Sequence, residues 1–365
     1  MTSHLIKINR KLILFIRHLK RRHLPSDLIL SVTYRCNAKC KMCYYWQSLN
    51  TGADEFTINE LKKVSLSLGN FEYLLLTGGE PFLRDDLVDI CTLFSEQNHI
   101  KKIHLPTNGL LTDKIYQVVP IIAEKCKNVT LYVLLTLQGL EKTHDEITGI
   151  KGGFQSVLAA AKKLNKVKQK HSNLFVYMNT VVCNKNYHEV ERLLDFVKSN
   201  LNVDFHSLCL MRGIPRESNF SPPSANKWIE LTERYLYYHH YYLSNAKKLQ
   251  QSFVFSDFWE RYKNRVFAGV LEKEKLPFRC LAGDMIGVIE PNLDVRLCEL
   301  TPVIGNLRDV DYDFKAIWFS NKAAEQRRKI QYCACTHECF IIPSIIYNPW
   351  QYIKSHILWR WIKKP

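Results

Sequence analysis

At 365 residues and 46% hydrophobic composition, the chain has room for one large domain and a smaller one. No apolar run approaches the ~18–20 residues a bilayer span needs, and no small-residue cleavage site follows the short run Leu12–Ile16, so a membrane-spanning or secreted protein is not expected and a cytoplasmic one is. The net charge of +16 gathers at the two ends: Lys7, Arg10, Lys11, Arg17, Lys20, Arg21 and Arg22 precede the first acid, Asp27, and Lys354, Arg360, Lys363 and Lys364 follow the last, Glu338.

The basic segment 1–25 spaces Leu5, Ile8, Leu12, Ile13, Ile16 and Leu19 as an amphipathic helix would. The tail 346–365 sets Trp350, Ile353, Ile357, Leu358 and Trp361 among cations. Both fit either an anionic membrane surface or helices packed on the main domain. No recognised nucleic-acid-binding pattern accompanies the charge, so no nucleic-acid partner is expected.

From residue 26 to 245 short apolar runs alternate with amphipathic segments. Strands are predicted at Leu28–Thr33, Tyr73–Thr77, Lys102–Pro106, Val129–Leu137, Leu174–Val182 and Val203–Leu210. Helices are predicted at Ile58–Leu68, Leu87–Glu96, Asp113–Lys125, Phe154–Val167, His188–Ser199 and Ala225–Leu243. Six strand–helix units predict an α/β fold built as a partial (β/α)6 barrel, with a doubly wound open sheet as the competing architecture. In a barrel the chemistry belongs at the C-terminal strand ends. Segment 246–345 reads as a second, small cysteine-rich domain with strands at Met285–Ile289 and Asp294–Leu297 around the turn Pro291–Asn292.

Of twelve cysteines, Cys91, Cys126, Cys183 and Cys209 stand alone in apolar segments and read as buried filling. The others are grouped, as metal ligands are in a reducing compartment. Cys36-Asn-Ala-Lys-Cys40-Lys-Met-Cys43 begins where the first strand ends. Thiolates suit iron–sulfur clusters and zinc, and three ligands on one loop leave a fourth position open. A zinc loop with a distant fourth ligand, stabilising a non-catalytic binding protein, is the alternative.

The triplet, its place after the first strand and the six-fold alternation resemble the radical S-adenosylmethionine (SAM) superfamily. Gly78-Gly79-Glu80-Pro81 resembles that superfamily's GGEP motif, and Thr107-Asn108-Gly109 its TNG. Thr136-Leu-Gln138-Gly139 is similar to its S-x-D-G, and His144-Asp145 with Gly152-Gly153-Phe154 to its H-D-x-x-R-G and the glycines before the next helix. The resemblance implies that Cys36, Cys40 and Cys43 hold a [4Fe–4S] cluster. An electron donor such as flavodoxin or ferredoxin would reduce it, and it would cleave SAM to a 5′-deoxyadenosyl radical. It further implies that the glycines, Glu80, Pro81, Thr107, Asn108, Thr136, Gln138 and Asn179 line the SAM site. Met42, Gln138 and Thr148 depart from the pattern. Thr148 stands where an arginine would meet the SAM carboxylate, which leaves that contact to Lys151 or another loop.

Cys280 and Cys298 flank a predicted hairpin, and Cys333-Ala-Cys335-Thr-His337-Glu-Cys339 follows. These five cysteines resemble the SPASM and twitch domains of radical SAM enzymes, which implies one auxiliary [4Fe–4S] cluster on Cys280, Cys298, Cys339 and either Cys333 or Cys335. A structural zinc site is the alternative, and His337 is expected outside the ligand set or at the surface. The resemblance implies hydrogen abstraction from a substrate of unread identity (a peptide, a sugar or a lipid-linked molecule) in a net oxidation or bond formation. Arg212 and Arg216, past the sixth strand, are candidates to meet a phosphate or carboxylate.

Overall fold

A computed structural model describes residues 23–245, 257–330, 333–348 and 350–351. The basic helix expected within 1–25 and most of the basic tail lie outside these residues. Among the described residues no helix is long and apolar enough to cross a membrane.

Nine strands form one sheet in the order β6-β5-β4-β3-β2-β1-β7-β8-β9. The first six are β1 (Asp27–Thr33), β2 (Tyr73–Gly78), β3 (Lys102–Thr107), β4 (Thr130–Thr136), β5 (Leu174–Val182) and β6 (Phe205–Leu210), each parallel to the next. Between them run α1 (Ile58–Leu68), α2 (Leu87–Gln97), α3 (Thr112–Lys125), α4 (Glu141–Thr148), α5 (Gly153–Lys168) and α6 (Val190–Asn200), followed by α7 (Ala225–Asn245) and α8 (Asp257–Lys273). The first six strands follow one another without a change of direction, and right-handed crossovers in that order put the helices between them on one face, so that this part of the sheet curls as a partial barrel; the order turns back only where β7 joins the other side of β1.

Residue patterns explain the elements. Thr57 and Glu60 form a reciprocal capping box that starts α1. The helix α5 buries Val157, Ala160, Ala161, Leu164 and Val167, one stripe at helical spacing. Along β4, Leu131, Val133 and Leu135 are buried against the helices, while Tyr132, Leu134 and Thr136 alternate onto the concave face. The lower half of that face is closed by neighbouring rings. Centroids run Tyr73 to His104 (4.7 Å), to Tyr132 (4.4 Å), to Tyr177 (5.2 Å), to Phe205 (5.5 Å). This aromatic floor leaves the C-terminal strand ends as the open side.

The helix α4 was not expected from the sequence, because its eight residues carry too short an apolar stripe. The cysteine-rich segment also joins the barrel more intimately than a separate domain would. Its β7 (Ile286–Ile289) pairs parallel with β1, and β8 (Asp294–Arg296) and β9 (Val303–Asn306) continue antiparallel. Beyond them lie α9 (Phe314–Trp318), α10 (Asn321–Ile330) and α11 (Glu338–Ile346).

Candidate functional site

The loop after β1 carries Cys36, Cys40 and Cys43 and is held from several sides. Asn50 accepts from Cys36 N and donates to Cys36 O, both at 3.0 Å. Carbonyls at the end of α4 accept from the loop: Thr148 O from Lys39 N (3.1 Å) and Ile147 O from Lys41 N (2.9 Å). Asn108 Nδ2 donates to Asn37 Oδ1 at 2.8 Å. All three thiols are partly exposed and lie close enough to act on one another's charge. Burial pushes Cys36 up to about 11 and Cys40 up to about 12, and raises Cys43 too, while the positive charge of Arg216 pulls all three back. Thiols this reluctant to ionise are deprotonated by binding a metal.

Three soft thiol donors on one loop suit an iron–sulfur cluster, and they suit zinc as well.

The glycines of Gly78–Gly79 serve a closer partner than a ligand. A Cβ on Gly79 would stand 2.0 Å from Arg35 O, and one on Gly78 (φ 110°) 2.5 Å from Thr33 O. The backbone bonds Gly79 N to Thr33 O and Glu80 N to Arg35 O, each 2.8 Å, seal this turn onto the cysteine loop. Pro81 follows as the first residue of a short 3-10 turn. Glu80 is buried, and its carboxylate accepts from Thr107 Oγ1 (2.8 Å), Asn108 N (2.8 Å) and Phe82 N (3.2 Å). Burial raises Glu80 to about 7 despite these donors. Its carboxylate thus joins the ends of β2 and β3 rather than standing free.

Gln138 is also committed internally: its Oε1 accepts from Val181 N (2.9 Å) and its backbone N donates to His144 Nδ1 (3.0 Å). Asp145 caps α5 through Gly152 N (2.5 Å) and Phe154 N (2.9 Å). Thr148 Oγ1 returns to His144 O at 2.8 Å, and Lys151 is exposed. Thr136 and Asn179 are paired across β4 and β5, on the concave face. Met42 packs into a small core with Ile147, Cys183, Met211 and Phe220.

Cys209 differs from the other isolated cysteines. Cys91, Cys126 and Cys183 are buried, whereas Cys209 is partly exposed on β6 and bonds Asn179 Oδ1 (3.1 Å) and Glu338 Oε2 (3.0 Å). Lys263 Nζ pairs with Glu338 (3.2 Å) and Glu260 (2.8 Å). Burial opposes the charge on Lys263, but the two carboxylates outweigh it and raise its pKa.

The later cysteines divide. Cys280, Cys298, Cys333 and Cys335 act on one another's charge, and Cys333 and Cys335 share a hydrogen bond. The charges acting most strongly on Cys339 are instead Arg212, Glu299 and Glu338. Cys333 is tied to the segment before Cys280 by Leu276 N to Cys333 O (3.3 Å), and Cys339 stands on α11 next to Glu338. His337 is fully buried, not at the surface: Nε2 meets Glu299 and Nδ1 has no partner. Burial would raise Glu299, but His337, Arg212 and Tyr44 hold it down at about 2. Burial, followed by the charge of Arg212, lowers His337, and Glu299 opposes that shift.

Sequence reasoning missed the residues that join the two cysteine groups. Tyr44 donates to Glu299 Oε1 (2.6 Å), and Tyr45 donates to Glu290. Arg212 lies over the Tyr44 ring (4.8 Å) and 3.7 Å from Glu299, and its charge reaches both Cys43 and Cys335. The run Tyr44-Tyr45-Trp46 and the position of Glu299 next to Cys298 were visible signals; their pairing was not.

Residues 30–197 match the Radical SAM superfamily. This part of the chain is a radical SAM domain. The chain is 25% identical over 322 residues to the AdoMet-dependent heme synthase of Methanosarcina barkeri, covering 84% of this chain and 85% of that one. It is 32% identical over 134 residues to the Fe-coproporphyrin III synthase of the same organism, covering 36% and 32%. The chain spans about a third of the length of the first curated relatives it matches. Streptococcus suis SuiB, solved with its precursor peptide SuiA, superposes with a TM-score of 0.57 at 18% identity over 89% of this chain and 72% of that one. That likeness extends the shared fold past the radical SAM domain into the cysteine-rich segment.

Proposed function

We propose that the protein is a radical SAM enzyme that removes hydrogen from an organic substrate on the concave face of the barrel, in a net oxidation or bond formation. The observation that carries this reading is the three-thiol loop at the barrel mouth, sealed to the Gly78–Pro81 turn. A [4Fe–4S] cluster on Cys36, Cys40 and Cys43 would supply the electron that splits SAM into methionine and a 5′-deoxyadenosyl radical, and a second cluster on Cys280, Cys298, Cys333 and Cys335 would take up an electron from the substrate. An electron donor of the flavodoxin or ferredoxin kind would complete the system.

The chain's own residues do the rest. The aromatic floor and the helices exclude water from the concave face. Asn179, Cys209 and Arg212 line its upper wall, where they would orient the substrate. Four thiols on the second group leave no iron for substrate, so that group serves electron transfer rather than binding. A relative named as a heme synthase and a structural neighbour, SuiB, solved with its precursor peptide make a heme precursor and a peptide the first substrates to test.

Anaerobic reconstitution is expected to load about eight irons. SAM and dithionite should then yield 5′-deoxyadenosine, and C40A should yield none while keeping about four irons. Zinc in place of iron, or no 5′-deoxyadenosine from the iron-loaded protein, would overturn the reading.

A further inference from the structure

The face of the molecule around the first cysteine loop is continuous and basic. Lys39 and Lys41 flank Cys40, and backbone bonds fasten their loop to its neighbours on two sides. On one side Lys39 N donates to Thr148 O (3.1 Å) at the end of α4. A Cβ on Gly149 would stand 3.3 Å from Lys39 Cβ, which brings the turn that carries Lys151 beside Lys39. On the other side Glu217 N, on the loop after β6, donates to Lys41 O (2.9 Å), and Ser221 O of that loop accepts from Asn184 N (2.8 Å) on the loop after β5. Lys185 follows there, its Nζ 6.0 Å from the Phe220 ring centroid.

Lys39, Lys151 and Lys185 are exposed, and none of them has a carboxylate partner among the described residues. The acids on the same segments are engaged: Asp145 caps α5, Glu146 pairs with Lys142 (3.7 Å) and Glu217 with Lys41 (3.8 Å). Unneutralised cations on joined segments give a positive field over the loop that would hold the first cluster. A protein carrier with acids around its redox group is the partner that such a field steers and orients. An anionic membrane would feel the same field, but it has no reason to seek the cysteine loop.

We propose that this face, centred on Lys39 and Lys185, docks an acidic flavodoxin that reduces the first cluster. The proposal rests on the SAM-cleaving reading and says where the partner of that site binds. One electron leaves the reduced flavin and one enters the cluster; no bond forms or breaks on this chain.

The test has two parts, both on the full-length, iron-loaded protein. Titration calorimetry measures the Kd for oxidised flavodoxin, and 5′-deoxyadenosine formation is followed with either photoreduced flavodoxin or dithionite. K39E/K185E should raise the Kd roughly tenfold at low salt, with the gap to wild type closing at high salt. The same variant should lose roughly tenfold in the flavodoxin-driven rate and stay within about twofold in the dithionite-driven one. K127E/K170E makes an equal change in net charge at exposed lysines just before β4 and β5, at the opposite end of the barrel, and should behave as wild type. An unaltered Kd or flavodoxin-driven rate in K39E/K185E overturns the docking face alone. So does an equal loss in K127E/K170E, or a dithionite-driven rate that falls as far as the flavodoxin-driven one. A wild type that dithionite activates but flavodoxin does not has the same consequence. An iron-loaded wild type that forms no 5′-deoxyadenosine with dithionite overturns the proposal together with the reading beneath it.

Discussion

The two cysteine groups are built in opposite ways. Cys36, Cys40 and Cys43 lie within eight residues on one loop, shaped by Asn50, the end of α4 and the Gly78–Glu80 turn. Cys280, Cys298, Cys333 and Cys335 come from three separate places: before β7, after β8 and beyond α10. The antiparallel pairing of β7 and β8 returns Cys298 toward Cys280, and Leu276 N to Cys333 O (3.3 Å) ties in the last pair. A three-thiol loop leaves a ligand position open by construction, while a four-thiol group assembled by the fold closes itself. The first arrangement suits binding and cleaving a small molecule; the second suits holding charge.

The ligand grouping gives the sharpest way to break this contrast. C335A should lose about four irons and still form 5′-deoxyadenosine from SAM, whereas C339A should keep about eight, by iron analysis and chromatography. If C339A loses iron and C335A does not, the four-thiol grouping is wrong.

The local loop depends on close backbone approach. G79A forces a Cβ onto Arg35 O and should destabilise the protein by about 3 kcal/mol in urea unfolding, with loss of iron from the first group before the second. Unaltered stability would mean that the turn and the loop are not sealed together.

A smaller effect measures how far the late segment leans on the barrel. Glu60 of α1 receives Arg308 Nε at 2.7 Å from the turn after β9, and that bond holds the carboxyl at about 2 against an ordinary 4.5. A depressed carboxyl stabilises the fold fully above its unfolded value and loses that contribution as pH falls through the folded one. E60Q should therefore cost about 1–2 kcal/mol at pH 7, and the gap to wild type should close between about pH 5 and 2. A gap that does not depend on pH would assign the contribution to the helix cap instead.

Much of the barrel was legible because its signals are local. Short apolar runs bounded by amphipathic stripes located all six strands, and β5 and α1 begin and end at the residues expected. The helix α4 was not legible, since His144 and Thr148 are buried by tertiary packing rather than by an apolar period. Site residues followed the same division. Gly79 was expected to line the SAM site, and the group its backbone approaches most closely is Arg35 O. Glu80 was expected there too, and its carboxylate accepts from Thr107 and Asn108 at the next strand end.

The sequence by itself determined the cysteine loop, its place at a strand end and the alternation that builds the barrel, because each depends on residues near one another along the chain. Only the tertiary structure decided that β7 closes onto β1, that Tyr44 meets Glu299, and that Cys333 is tied to the segment before Cys280. Those facts depend on contacts between segments up to about 260 residues apart, and no local propensity or spacing encodes which buried group will meet which.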